Sequence, residues 1–198
     1  MKKLLSLLLM GTIVLLCGGA INAEEINGTR DFNLIVYCET HQINSRAEFQ
    51  SVLDTYAPQQ GSDINPDPIE GEEISFEIRI NYDSQTVTAV TLFDTGDTRD
   101  TTSGSVSADT YSSIGVRIFT ITVNGSFSYI STNVTTTSAT GSFTPAPLSL
   151  WTSTPSVTKG KTNGKAYARI HGTASFLGSN INYSLTLTCD TSGTLDSY

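Results

Sequence analysis

Apolar residues recur at every second position over most of this chain. The recurrence is sharpest where Ile74, Phe76, Ile78, Ile80 and Tyr82 alternate with polar residues. Alternation of period two sends one set of side chains to one sheet face, so this segment predicts a strand with those five residues buried. Asp83-Ser84 then marks a turn into a β-branched run over residues 86–93, predicted to pair antiparallel with it. Further strands are expected over 114–123 and 126–131, on either side of Asn124-Gly125. That dipeptide is the preferred filling of a type I′ turn, because both central positions need positive φ. Weaker strands follow over 134–143 and 148–152, and a basic, glycine-rich turn over 159–165. A last hairpin joins 166–176 to 181–189 through Gly178-Ser179-Asn180, with Ile181, Tyr183, Leu185, Leu187 and Cys189 on one face.

Two segments near the start read differently. Residues 32–38 carry apolar side chains on both faces, which predicts a well-covered first strand ending at Cys38. Ser45 with Glu48 forms a capping box, and Phe49, Val52, Leu53 and Tyr56 recur at helical spacing up to Pro58. One short helix over 45–56 follows. Residues 57–73 and 94–105 are polar, acidic and glycine-containing, as solvated loops are. Many short strands and a single helix predict an all-β fold: an antiparallel β-sandwich, or a meander closed as a barrel.

The first 23 residues change the picture of where the domain begins. Lys2 and Lys3 precede a stretch from Leu4 to Leu16 that is largely apolar, and Ala23 offers a small residue before Glu24. This is the order of an export signal, with the short lysine pair of the bacterial kind, and the apolar run is shorter than the roughly 20 residues a spanning helix needs. Cleavage near Ala23 leaves one domain, 24–198, secreted or periplasmic, with no transmembrane segment in the mature chain. Export also assigns the cysteines. Cys17 leaves with the signal, and an oxidising compartment favours a disulfide between Cys38 and Cys189, clasping the N- and C-terminal strands.

Charge excludes one class of partner. The chain carries 11 basic and 19 acidic residues, a net charge of −8, and loss of Lys2 and Lys3 makes it more acidic still. Nucleic acid would be repelled on average.

Candidate chemistry is sparse. His41 and His171 are the only histidines, and no nucleophile-and-base motif or phosphate loop is present. Cys38 and His41 have the C-x-x-H spacing of half a metal site, but a zinc site needs further ligands and the disulfide competes for Cys38. No cofactor is implied except calcium, whose preference for several hard oxygens makes Asp94, Asp97 and Asp100 the candidate ligands, ahead of Asp63, Asp67, Glu70, Glu72 and Glu73. Trp151, the lone tryptophan, is the candidate for stacking on a sugar ring. These features predict an exported, non-enzymatic domain that binds a protein or glycan in the envelope or outside the cell. The alternative is a carrier of a small apolar ligand, with Phe76, Ile78, Phe119 and Tyr183 lining a barrel cavity. A hydrolase using Asp or Glu is the third reading.

Overall fold

The first apolar segment is a helix, not a strand. In the computed structural model, which describes residues 32–57, 71–147 and 149–198, Leu34–Thr40 forms α1 and Arg46–Tyr56 forms α2. Asn33 starts α1 by accepting from the backbone N–H groups of Ile35 and Val36, and the Tyr37 N–H donates to the Asn33 carbonyl at 2.9 Å. This cap, together with burial of Leu34 and Ile35 on one side while Val36 stays exposed, outweighs the strand preference of a β-branched run. α2 matches its expected span: the Ser45 hydroxyl accepts from the Glu48 N–H at 3.2 Å. The Glu48 carboxylate reaches back one residue further than a capping box requires, to the Asn44 N–H.

Among the described residues nine strands follow, each antiparallel to its sequence neighbour within a sheet. The first sheet is β1 (Glu72–Asn81), β2 (Thr86–Thr98), β3 (Thr101–Ser112), β4 (Arg117–Ile130) and β5 (Asn133–Pro145), in that spatial order. The second is β6 (Ser156–Thr162), β7 (Lys165–Phe176), β8 (Ser179–Cys189) and β9 (Leu195–Ser197), also in order. Their inner faces meet over a shared core that includes Val106, Phe119, Val123 and Phe127 from one sheet and Ala168, Ile170, Leu185 and Leu187 from the other. The architecture is therefore two stacked sheets and not a closed barrel, and all of these elements belong to one unit, residues 33–198.

Both faces of the first sheet are covered, which explains the near-continuous burial of β2 and β3. On the outer face lies α2, whose Phe49 ring meets Phe76 at 6.1 Å and Tyr111 edge-on at 5.3 Å. This is where the clearest strand of the sequence departs from expectation. β1 has the expected period, with Phe76, Ile78 and Ile80 half-buried toward the helix side. It is nevertheless an edge strand, and Ile74 and Tyr82 at its ends are 48 % and 59 % exposed.

Turn chemistry moves likewise. No turn forms at Asn124-Gly125: β4 runs straight through, with Gly125 opposite Gly104 on β3 and Ala139 on β5. Gly125 is there for clearance, since a Cβ would sit 2.9 Å from the Phe127 ring and 3.1 Å from the Ala168 methyl of the other sheet. The type I′ geometry appears instead at Asn163-Gly164, φ 49° and 80°, within the segment expected to be a basic turn. Residues 94–105 are not a loop either, because β2 and β3 pair as far as Thr98 and Thr101. The last hairpin has the expected inward face, but its turn falls at Leu177-Gly178, one residue earlier than expected. Of the described residues 149–152, only Thr152 bridges to another strand, at Ser175. The export segment and Asp63, Asp67 and Glu70 lie outside the described residues.

Candidate functional site

The two cysteines are not joined. Cys38 is half-buried on α1, Cys189 is buried at the end of β8, and both thiols are free. The fold holds them apart. The α1 backbone starts against the β3–β4 turn, with Leu34 N–H donating to the Ser113 carbonyl, whereas Cys189 pairs with Leu195, which packs over Gly104 near the opposite end of β3. The stretch of β3 between these ends spans roughly 30 Å at strand rise, against the 7 Å or so that a disulfide tolerates. Desolvation pushes both thiols up to about 11, helped at Cys189 by the Asp190 and Asp97 carboxylates. A thiol-exchange reagent at pH 8 is therefore expected to react slowly with the native chain beginning at Glu24 and to titrate two thiols once it is unfolded. An intact mass that falls short of two free thiols would contradict this. The burial is fully tolerated below the unfolded thiol value near 9, and stability is lost as pH rises from 9 through 11, measurable as a falling denaturation midpoint.

The other candidate residues do not converge. His41 stacks on Tyr37 with ring centroids 4.1 Å apart, and its Nδ1 lies 2.9 Å from the Thr40 hydroxyl. His171 is exposed on β7, between Ser156 and Ser184. Asp94 accepts from the Gly96 N–H at a bulge, Asp97 accepts from the Tyr129 hydroxyl at 3.3 Å, and Asp100 sits in the two-residue β2–β3 turn. Among the described residues, no three His, Cys, Asp or Glu side chains gather as metal ligands. Phe76 and Ile78 face α2, while Phe119 and Tyr183 face the other sheet, so the four cannot line one cavity.

Trp151 is a packing residue at one end of the sandwich. It lies 6.2 Å from Phe119 and 5.7 Å from Phe176, in a cluster with Phe143 and Tyr183. Beside it is a hollow of about 250 Å³ lined by Thr152, Ser153, Thr154, Thr173 and Ser175. Three of these hydroxyls are already engaged, Ser153 with Tyr183, Thr173 with Asn182 and Ser175 with Asn180.

A second depression has different chemistry. It is a groove of about 240 Å³ between the first sheet and the edge of β8, with Arg79 and Asn81 from β1, Thr86 and Thr88 from β2, and Thr110 from β3 on one side. Asn182 and Ser184 of β8 stand opposite, and Ala108, Phe119 and Ile121 lie at its base. Thr88 and Thr110 hydroxyls are 3.3 Å apart, and Arg79 pairs with Glu77. No carboxylate lines either hollow. At 240 Å³ the groove falls below the roughly 300–1,000 Å³ of small-molecule pockets, so it suits side chains of a partner better than an enclosed ligand.

Among the described residues, β9 covers only part of the β8 edge that borders the groove. β9 pairs with β8 only at 187–189, and Tyr198 extends the match by exchanging both backbone bonds with Thr186 at 2.9 and 3.1 Å. In an antiparallel ladder, residues two and four positions along present their N–H and C=O to the same side. Ser184 and Asn182 therefore aim backbone donors and acceptors at the groove, and no described residue pairs with them there. The far side of the sandwich is sealed instead: Lys159 and Lys161 of β6 donate to the Thr137 carbonyl and the Asn133 side chain of β5. Sequence reading missed this site. Its one signal was the absence of charged residues from Ile170 to Cys189 in an otherwise acidic chain.

Comparison with protein-family models, with curated proteins and with solved structures finds no match for this chain. Among the described residues no helix is long and apolar enough to cross a membrane.

Proposed function

We propose that this chain is an exported, non-enzymatic binding domain that meets its partner at the groove beside β8. The observation that carries the reading is the backbone edge at Asn182 and Ser184, without a partner among the described residues, uncharged and facing a groove of mixed polar and apolar lining, on a scaffold whose opposite side is bridged by Lys159 and Lys161. Sheets protect exposed edges with charges, prolines or coverage. β1 carries Glu72, Glu73, Glu77 and Arg79, and β6 carries Lys159 and Lys161. The stretch of β8 at Asn182 and Ser184 carries neither charge nor proline, as suits a surface kept for association.

The test is affinity capture from the exported fraction, using the tagged mature chain and its Thr88→Arg variant, which fills the groove with a long cation. Thr88 is half-buried on the groove wall, so the arginine head can reach solvent. A partner held by the wild type and reduced at least tenfold by T88R, at an unchanged unfolding midpoint, is the expected result. Equal recovery by both proteins would remove the groove from the reading, and recovery of nothing would remove the binding function.

A further inference from the structure

We infer that the occupant of the groove is a single extended, uncharged peptide segment of the partner, adding to β8 as an antiparallel strand in line with β9; this rests on the binding function proposed above. β9 shows what the slot accepts. It is one strand wide, pairs with the same edge of β8, and turns Leu195 inward onto Gly104 of the overhanging first sheet. The same hydrogen-bonding side of β8 has no described partner at Ser184 and Asn182. Main-chain bonds to such an edge supply affinity, and alternate side chains supply selection.

The walls define the peptide. Side chains turned inward would meet Thr86, Thr88, Thr110 and Asn81 on the wall and Ala108, Phe119 and Ile121 at the base, a mixed lining that accommodates uncharged side chains, hydroxyl-bearing or apolar. The only cation lining the groove, Arg79, is already paired with Glu77, and the strand is uncharged, so a charged segment would gain no counterion there. The Asn182 Oδ1 already accepts from the Thr173 hydroxyl, and the backbone edge is the repeating recognition element on this strand. A second copy of this chain does not fit. To pair β8 with its own copy, the second molecule would have to place its overhanging β1 and β2 in the space that β1 and β2 of the first already occupy beside the groove.

The experiment screens a phage-displayed library of random octapeptides against the immobilised mature chain. Enriched peptides are expected to lack proline and charge at their central positions. They should bind Ser184→Ala as they bind wild type, and bind Ser184→Pro at least tenfold more weakly, because only proline removes the edge N–H. Exchange of the Asn182 and Ser184 amides should slow at least tenfold on binding. Should S184P unfold, Asn182→Pro and the amide protection decide the same question. Failure to enrich any peptide, equal binding by S184P, or unprotected β8 amides would overturn strand addition. So would a wild-type dimer that S184P abolishes, which would put a second copy in the slot. A native partner captured undiminished by S184P but lost with T88R would leave the binding function standing and sink the strand alone.

Discussion

Truncation of Phe119 to alanine is expected to cost about 3–5 kcal/mol, the largest effect of any single core substitution considered for this protein. Phe119 is 1 % exposed on β4, and its ring is the hub of the aromatic cluster, with Phe143, Tyr183 and Trp151 centroids at 5.1, 6.0 and 6.2 Å. Removing it takes away the transfer free energy of a buried ring and the contacts of three others at once. Those neighbours come from β5, β8 and the crossing segment, so they cannot collapse together into the space. Urea denaturation measures the loss. Phe119→Leu should recover more than half of it, because a branched aliphatic chain refills much of the volume. A loss under 1 kcal/mol for F119A would mean the ring is not packed as described.

Gly125→Val is the second large effect, at about 3 kcal/mol. A side chain there has to displace the Phe127 ring and the Ala168 methyl, which lie about 3 Å from where its Cβ would be. The row Gly104, Gly125, Ala139 is small-sided across three strands, and the second sheet sinks onto it through Leu195 and Ala168. The same substitution separates two structures of this segment. At the second position of a type I′ turn valine would be opposed by positive φ and would disrupt a local hairpin. In mid-strand its backbone is acceptable and the penalty is steric, so shrinking the opposing ring with Phe127→Leu in the same chain should restore part of the loss. No recovery in the double variant would argue for a turn.

This glycine shows how much of the fold was legible and where legibility stopped. Among the described residues Asn-Gly stands at 124–125 and at 163–164, and the local signal is identical. Only the second becomes a turn, because only there do the flanking strands end against solvent; at the first, the ring of Phe127 and the second sheet use the missing Cβ. The period-two pattern correctly gave β1, the start of β2 and the inward face of β8, since those depend on alternation alone. Residues 34–40 misled because a run with apolar residues on both sides carries no period, and a cap from Asn33 then decides the matter. The site was invisible for another reason. Which strand lies at an edge depends on sheet order, which is not written in any local stretch of residues.

The strand order has a consequence for how the chain reaches its structure. Every ladder joins strands adjacent in sequence, and a single segment, 146–155, crosses from one sheet to the other. Each sheet can thus zip from hairpins whose loops are short, and the entropy of closing a long loop is met only when the two finished meanders dock. Docking is also the step that covers Gly104 and Gly125 and buries the thiol of Cys189, so thiol protection and ladder formation should separate in time during refolding, the ladders coming first.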